Sequence, residues 1–383
     1  MLALVVIRLD ALGFTTRTIA LIQTTDSLGL IAGSFIAYKV INRLRHIRAY
    51  TLFAVLFAIC AVLFAFTPPP WGWLPVAFMM GASGFGLTVV IESWLQYFAP
   101  NQLRGRIMAI YLMIGYAASS AGLWAVDFFD PLSLAPLLFI AALMVLSPLP
   151  MTAARHHMPD ISRPRHLSLL ALYRASPLGT VATMVSGVVL GAQYSMAIIF
   201  ALSRGEGFFG GGTYLAAFTI CGMLMVYPIG RRSDATDRRL VLLVTFTGLS
   251  AAAIGLISLA ETRWLLLIMV GVMGAISSAI YPQATSYVND YLDQDQRVSA
   301  NSSLMLAFSL GLLGGPLPAT LAMGLLGPTG LYVFVAAIAG SAAVFTLWRM
   351  TRRPAAPARD DPYAAIATLP LEPPLARRND DSP

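Results

Sequence analysis

Long apolar runs fill most of the sequence, and only short charged or Pro- and Gly-rich breaks separate them. Most runs reach the roughly 20 residues that a helix needs to cross the hydrocarbon core of a bilayer. Hydrophobic residues make up 57% of the chain and charged residues only 11%, so a soluble fold could not bury this apolar surface. Barrel strands would alternate apolar and polar residues, which these runs do not. We therefore expect an all-α membrane protein.

The breaks divide the chain into eleven complete predicted spans. They lie near residues 18–39, 49–66, 74–98, 107–125, 134–150, 177–201, 209–229, 240–259, 264–288, 299–325 and 330–348.

Basic residues predict which side of the membrane each break faces. If the 39–48 break is cytoplasmic, 21 of the 25 basic residues fall on that side. The four exceptions are Arg8, Arg17, Arg204 and Arg263. Because Lys and Arg are enriched in cytoplasmic loops, we expect a multi-pass protein of the bacterial inner membrane with a cytoplasmic C-terminus.

Two segments are too polar to cross the membrane. Residues 151–176 are rich in Arg, His and Pro, which predicts a cytoplasmic linker. Residues 350–383 carry Pro, Ala and mixed charges without periodicity, which predicts a disordered cytoplasmic tail. The net charge of +7 is scattered over short breaks, so we expect a monomer in the lipid bilayer and no nucleic-acid partner.

The chain offers no pattern for a cofactor, a metal site or an enzyme. Its four histidines all lie in breaks, and Cys60 and Cys221 stand alone inside apolar runs. Neither a catalytic nucleophile set nor a phosphate-binding loop is present in the sequence. We expect no cofactor, no metal and no enzymatic activity.

The two halves of the chain repeat each other. Asp234 follows Asn42 by 192 positions, and Arg297 follows Arg106 by 191, in corresponding breaks. The sequence therefore predicts two pseudo-symmetric helix bundles, over about residues 1–150 and 177–349.

The repeat also indicates that the first bundle is incomplete, with five full spans against six in the second. Only Met1 to Ile7 is apolar before residue 18, about two helical turns. Such a segment is too short for ~30 Å of hydrocarbon. We expect a truncated first helix, either because translation starts upstream or because the gene is degraded.

A loop motif follows the span near 209–229. It reads Gly230-Arg-Arg-Ser-Asp234-Ala-Thr-Asp237-Arg238-Arg239. This resembles G-x-x-x-D-R-x-G-R-R, the loop signature of the major facilitator superfamily. Gly230, Asp234, Arg238 and Arg239 match the signature, whereas Asp237 and the alanine after Asp234 depart from it.

The corresponding break of the first half, from Tyr38 to Arg48, is a degenerate copy of the motif. Arg43 and Arg48 are retained, but Tyr38 replaces the glycine and Asn42 replaces the aspartate. Two copies at the repeat spacing strengthen the resemblance.

Two shorter features resemble one branch of mostly uncharacterised bacterial members of that superfamily. Residues 91–94 read Ile-Glu-Ser-Trp, and residues 104–106 read Arg-Gly-Arg. The resemblance covers about residues 1–349. It implies two six-helix bundles that rock about a central cavity, which opens to one side of the membrane at a time.

The physical role of the loop motif follows from its residue types. An aspartate there can accept hydrogen bonds from a helix N-terminus, and arginines can hold a carboxylate of a neighbouring helix. We expect Asp234 with Arg238 or Arg239 to hold one conformation, with Asn42 and Arg43 as a weaker counterpart. The alternative is that these arginines only orient the chain in the membrane.

Glu92 is one of two carboxylates predicted inside spans, where charged groups are costly and usually functional. It lies near the cytoplasmic end of its span, with Arg43, Arg104 and Arg106 expected within reach. The family resemblance implies a gating salt bridge to a loop arginine. Direct proton transfer and an unpaired interfacial carboxylate are the alternatives.

Asp26 is the second such carboxylate, and it is expected near the middle of its span. Burial there makes it a candidate proton site or cation partner. The alternative is chance polarity that faces the space left by the incomplete first helix. Ala77 stands where related transporters often carry an arginine, which weakens the argument for proton coupling.

Uncharged polar residues in the spans are candidates for lining a substrate cavity. They are Tyr116, Gln193, Tyr194, Tyr214, Tyr281, Gln283 and Asn301. Such groups also serve as hydrogen bonds between helices, which is the alternative for each of them.

The sequence thus predicts a secondary transporter that moves a small solute between the two halves, with the coupling ion left open. The rivals are a non-transporting product of a truncated gene and a membrane-embedded binding or sensor protein.

Overall fold

A computed structural model describes residues 1–66, 70–98, 104–130, 132–153, 169–204, 210–234, 236–258, 263–291 and 294–352. Within these ranges all regular secondary structure is α-helical, which confirms the predicted fold class. The described residues hold nine helices long and apolar enough to cross a membrane, together with two shorter apolar helices, Met113–Val126 and Ala135–Met151. The shorter two coincide with the predicted spans near 107–125 and 134–150.

Six helices form the first half of the chain. They are α1 (Leu2–Ala11), α2 (Thr16–Leu63), α3 (Pro70–Phe98), α4 (Arg104–Val126), α5 (Ala135–Leu146) and α6 (Leu149–Ala153).

Eight helices form the rest. They are α7 (Leu169–Ala175), α8 (Pro177–Leu202), α9 (Gly211–Asp234), α10 (Arg238–Ser258), α11 (Arg263–Asn289), α12 (Gln294–Gly314), α13 (Pro316–Leu326) and α14 (Gly330–Arg352). Part of the predicted linker is therefore helical, and most of the predicted tail lies outside the described residues.

Helix α2 contains two segments that are long and apolar enough to cross a membrane, Thr16–Ala37 and Lys39–Leu63, and it is sharply broken within the second. The break is at Arg45, whose φ of 65° and ψ of 167° are not helical. The first segment runs parallel to α3, because Gly29 meets Phe78 and Gly33 meets Ala82. The segment after the break runs antiparallel to α3, because Gly84 meets Phe57 and Gly86 meets Phe53. The chain thus reverses within the predicted 39–48 loop, at a single residue.

Two matching glycine contacts relate the halves to each other. Gly81 of α3 lies directly against the backbone carbonyl of Asp26, and Gly274 of α11 lies against that of Phe218. Phe218 follows Asp26 by 192 positions and Gly274 follows Gly81 by 193, which is the spacing of the sequence repeat. Small residues at such crossings allow close van der Waals packing, which drives helix association in lipid.

Helices α8 and α12 pack in parallel through two further glycine pairs. Gly187 and Gly191 face the backbone of α12, while Gly311 and Gly315 face the backbone of α8. Pro316, which has no N–H to donate, then begins α13, so the predicted 299–325 span is divided into two helices.

Arg8 ties together one end of the first half. Its guanidinium is 4% exposed and donates hydrogen bonds to the carbonyls of Ala65 and Ser133, both at 3.1 Å. The end of α1, the end of α2 and the α4–α5 connection therefore meet there. We call this the far end. The opposite end, which holds the turn at Arg45 and the loop before Arg238, is the motif end.

The backbone contact at Gly274 generates a stability prediction. Gly274→Ala should destabilise the protein by about 1–3 kcal/mol, because the added methyl group collides with the Phe218 carbonyl. The control Gly324→Ala adds a methyl where no other atom lies within 4 Å and should be neutral or slightly stabilising. Thermal unfolding in detergent measures both, and equal unfolding temperatures would contradict the proposed packing.

Candidate functional site

The two halves meet along two pairs of long helices. Helix α4 of the first half packs on α9 of the second, and α2 packs on α12 and α13. Helix α1 packs on α8. These helices therefore form the contact surface between the two halves.

Apolar packing joins the halves more extensively at one end than at the other. One core runs through both halves and includes Leu4, Ile22 and Trp73 of the first and Phe200 and Phe218 of the second. At the motif end, the described residues of the first half form a core of their own. It contains Ala37, Ile41, Ala49, Tyr50, Phe53, Ala54, Leu87, Val90 and Met151. Among the described residues, the halves therefore share an apolar core away from the motif end and have separate apolar clusters at it.

Three of the predicted cavity residues keep part of their surface accessible. Tyr116 is 39% exposed on α4, and Tyr194 and Tyr281 are partly exposed on α8 and α11. Tyr194 packs edge-on against Phe218, with ring centroids 6.0 Å apart. Tyr281 stacks at 4.8 Å from Phe308. These phenol groups stand among apolar and aromatic side chains on helices of both halves.

The other predicted cavity residues are buried or lie outside the part of the chain that the structure describes. Gln193 is fully buried and donates to the sulfur of Met273 at 3.2 Å. Tyr214 is fully buried too, and its hydroxyl is hydrogen-bonded to that of Tyr332. Gln283 is 2% exposed, and neither polar atom of its amide has a described partner. The side chain of Asn301 lies outside the described residues.

Asp26 is placed inside the first half. It is 8% exposed, and its carboxylate makes no hydrogen bond or ion pair with the described residues. Its backbone carbonyl is the group that meets Gly81. The structure thus has a buried carboxylate at a helix crossing, and the predicted role of Asp26 stays a prediction.

Glu92 is half-buried near the motif end of α3, and it makes no ion pair with the described residues. Asn42 and Arg43 are exposed at the turn of α2. The side chains of Arg104 and Arg106 lie outside the description. The predicted gating salt bridge of Glu92 therefore stays a prediction.

The loop motif places its two arginines on nearby carboxylates. The Arg238 Nε atom donates to Asp290 Oδ2 at 2.7 Å, which connects the start of α10 to the end of α11. The Arg239 guanidinium donates to Asp237 Oδ2 at 2.6 Å. Sequence reasoning did not identify Asp290, which follows a long apolar run without any motif of its own. The side chain of Asp234 lies outside the described residues.

Asp237 also caps the N-terminus of helix α10. Its Oδ1 atom accepts the backbone N–H of Arg239 at 2.9 Å, which satisfies a donor that the helix leaves free. Hydrogen bonds from the Arg239 side chain hold the pKa of Asp237 below its ordinary value of 3.8. A residue that departs from the family signature thus has a local structural role.

Asp127 is a second residue that sequence reasoning missed, and it joins the two halves. It follows the last residue of α4, and its carboxylate accepts the backbone N–H groups of Gly212 and Thr213 at the start of α9. The signal available in the sequence was the Gly210–Gly212 run, which is unusual at a helix start. This contact lies at the far end.

Comparison with protein families finds a match over the second half of the chain. Residues 205–379 match the family model described as Major Facilitator Superfamily. A protein of Yersinia pestis (strain Pestoides F) named "Uncharacterized MFS-type transporter" is 26% identical over 357 residues, which cover 92% of this chain and 90% of that protein. The "Uncharacterized MFS-type transporter YcaD" of Escherichia fergusonii is 25% identical over 303 residues, which cover 79% and 78%.

Comparison with solved structures extends the likeness to the whole fold. The crystal structure of the nucleoside transporter NupG superimposes with a TM-score of 0.73, covering 91% of this chain and 96% of that protein. The sequence identity is 14%, so the likeness concerns the fold alone. The resemblance read from the loop motifs and the predicted transporter fold are confirmed by these matches.

The Asp237–Arg239 contact predicts a pH dependence of stability. Because the pKa of Asp237 is lowered in the folded state, its contribution is present above the unfolded pKa of about 3.9 and is lost as pH falls through the folded value. Asp237→Asn should therefore lower stability by less than about 1 kcal/mol between pH 5 and 8, and by nothing near pH 2. Unfolding measured against pH in low and high salt tests this, and a difference that grows on acidification would contradict it.

Proposed function

Taking the chain as a member of the major facilitator superfamily, we propose that it moves a small solute by alternating access between two helix bundles. The bundles comprise residues 1–150 and 177–349, with the linker at 151–176 between them. The observation that carries the proposal is the distribution of apolar contacts among the described residues, which join the halves away from the motif end and form separate clusters at it. Such an arrangement corresponds to a cleft that opens toward the motif end.

The same helix paths support the proposed topology. Tracing α2 back from Ala65 brings Arg45 to the end opposite Arg8, and tracing α9 from Gly211 brings Arg238 to that same end. Both copies of the loop motif thus emerge together, as a repeated bundle requires. We propose eleven crossings of the inner membrane, with the motif end and the C-terminus in the cytoplasm.

The accessible groups of the cleft favour an uncharged solute with polar groups on an apolar or aromatic body. Tyr116, Tyr194 and Tyr281 offer hydroxyl groups together with ring faces, drawn from both halves. Among the described charged groups, Arg238 and Arg239 are paired with carboxylates at the motif end, and Asp26 is buried inside the first half. A highly charged solute would lack a counter-charge between the halves.

Gating is proposed to use the polar groups of the motif end. Arg238 already holds Asp290 across two helices of the second half, and Glu92 stands half-buried on α3 of the first half. When the cleft closes there, Glu92 can reach a motif arginine such as Arg43, and the resulting ion pair would stabilise the closed form. Asp26 is the proposed coupling group if transport proves to be proton-driven.

Reconstituted transport tests the proposed function. The purified chain in liposomes should take up at least one solute from a panel of uncharged metabolites faster than protein-free liposomes do. Nucleosides belong in the panel, because NupG, which shares the fold, is a nucleoside transporter. If an inward proton gradient stimulates uptake in the wild type, Asp26→Asn should lose that stimulation while keeping downhill exchange.

Two results would count against this account. The absence of flux for any solute in the panel, with a folded and correctly inserted protein, would contradict the transport function. Equal stimulation by the gradient in wild type and Asp26→Asn would be consistent with the transport function but would show that Asp26 is not the coupling group. Glu92→Gln serves as a comparison, because it neutralises a carboxylate near the motif end instead.

A further inference from the structure

At the far end, the carboxylate of Asp127, which follows α4, contacts the start of α9. A charged side chain of the first half thus binds the second half. Asp127 Oδ1 accepts the Gly212 N–H at 2.9 Å, and Asp127 Oδ2 accepts both the backbone N–H and the hydroxyl of Thr213 at 2.6 Å. The carboxylate thus satisfies several donors at once. All of them belong to the first turn of a 24-residue helix.

Helix physics explains why a carboxylate binds at this position. The first N–H groups of a helix have no partner within it, and the helix dipole adds positive potential there. A carboxylate that accepts these hydrogen bonds is stabilised by both effects. Asp127 supplies the carboxylate from another helix, α4, so the cap of α9 also holds the two halves of the chain together.

The glycine run at 210–212 is what lets the carboxylate approach so closely. A methyl group at Gly210 would collide with the Asp127 carboxylate, and one at Gly212 would collide with the Leu123 carbonyl of α4. Any side chain there would separate α9 from α4. The run and the aspartate are therefore two parts of one contact, although 83 positions separate Asp127 from Gly210 in the sequence.

Asp130 shows that carboxylate chemistry alone does not produce this contact. It lies three positions after Asp127 in the same connection, yet it accepts the backbone N–H of Leu132 at 3.0 Å, within its own half. Both aspartates are exposed. Asp130 therefore provides a matched comparison for a contact that does not cross between the halves.

We propose that Asp127 and the start of α9 form a latch that closes the far end, and that its release opens the cleft on that side. This inference rests on the proposed alternating access. Because Asp127 is exposed, water can replace the Gly212 and Thr213 donors when the helices separate, so the latch can open and reclose during a transport cycle. The latch lies at the far end and the loop motif lies at the motif end. Each contact would therefore stabilise the conformation in which its own end is closed.

Distances between spin labels test the latch without any solute. Labels at Leu132→Cys and Leu325→Cys report on the far end, since both side chains are exposed on different halves. Labels at Leu44→Cys and Leu240→Cys report on the motif end in the same way. Cys60 and Cys221 are first replaced by alanine, and the full chain is measured in nanodiscs by double electron–electron resonance.

Asp127→Ala should raise the population with long far-end distances roughly threefold to tenfold, since it removes every hydrogen bond of the latch. The motif-end distances should shorten in parallel. Thr213→Val keeps the side-chain volume and removes one donor, so it should give a smaller shift in the same direction. Asp130→Ala should leave both distance distributions as in the wild type.

Two outcomes would overturn the latch. One is an unchanged far-end distribution in an Asp127→Ala protein that is monodisperse and unfolds at the wild-type temperature. The other is an equal shift in Asp130→Ala, which would indicate a general effect of the connection. If Asp127→Ala does not fold, the Thr213→Val distances decide the question alone. A shift in protein that transports nothing would support the latch while contradicting the proposed function.

Discussion

Close backbone packing between helices is the constraint on which the rest of this structure depends. In lipid there is no hydrophobic gain from burying one apolar helix against another, so contact area and small residues decide which helices associate. Gly81 against the Asp26 carbonyl and Gly274 against the Phe218 carbonyl supply such contacts in both halves. The two contacts lie at the same place in the sequence repeat, so this helix crossing is matched in both halves although its side chains differ.

Contacts between the halves combine a close backbone approach at Gly212 with contacts that water can replace, and this combination fits the proposed alternating access. Inside each half, glycines let the backbones of crossing helices pack in direct contact, and this close packing prevents the helices from sliding past each other. Between the halves, the far end is held by a shared apolar core and by exposed hydrogen bonds to Asp127, which water can replace. Rigid halves with a replaceable contact between them can exchange one closed end for the other without losing their own packing.

Much of the fold could be predicted because membrane insertion requires long apolar segments, which are visible in the composition of the sequence. Apolar length, the distribution of arginines and the repeat spacing predicted the helical class and the position of most spans. The site was harder to predict, because the sequence does not distinguish a tyrosine or glutamine that faces a cleft from one that faces a neighbouring helix. Gln193 and Tyr214 proved to be fully buried, whereas Tyr116 is partly exposed. Asp127 was not predicted, since its partners are backbone N–H groups and the sequence signal for them was the distant Gly210–Gly212 run.

The side of the membrane on which each turn emerges is the most direct test of the account. Single cysteines at positions 43 and 236 sit at exposed sites of the motif end, and those at 128 and 325 sit at exposed sites of the far end. A membrane-impermeant thiol reagent applied to sealed vesicles of known orientation should label positions 43 and 236 from one side and 128 and 325 from the other. Labelling of 43 and 236 from opposite sides would contradict a repeated bundle and the cleft built between its copies.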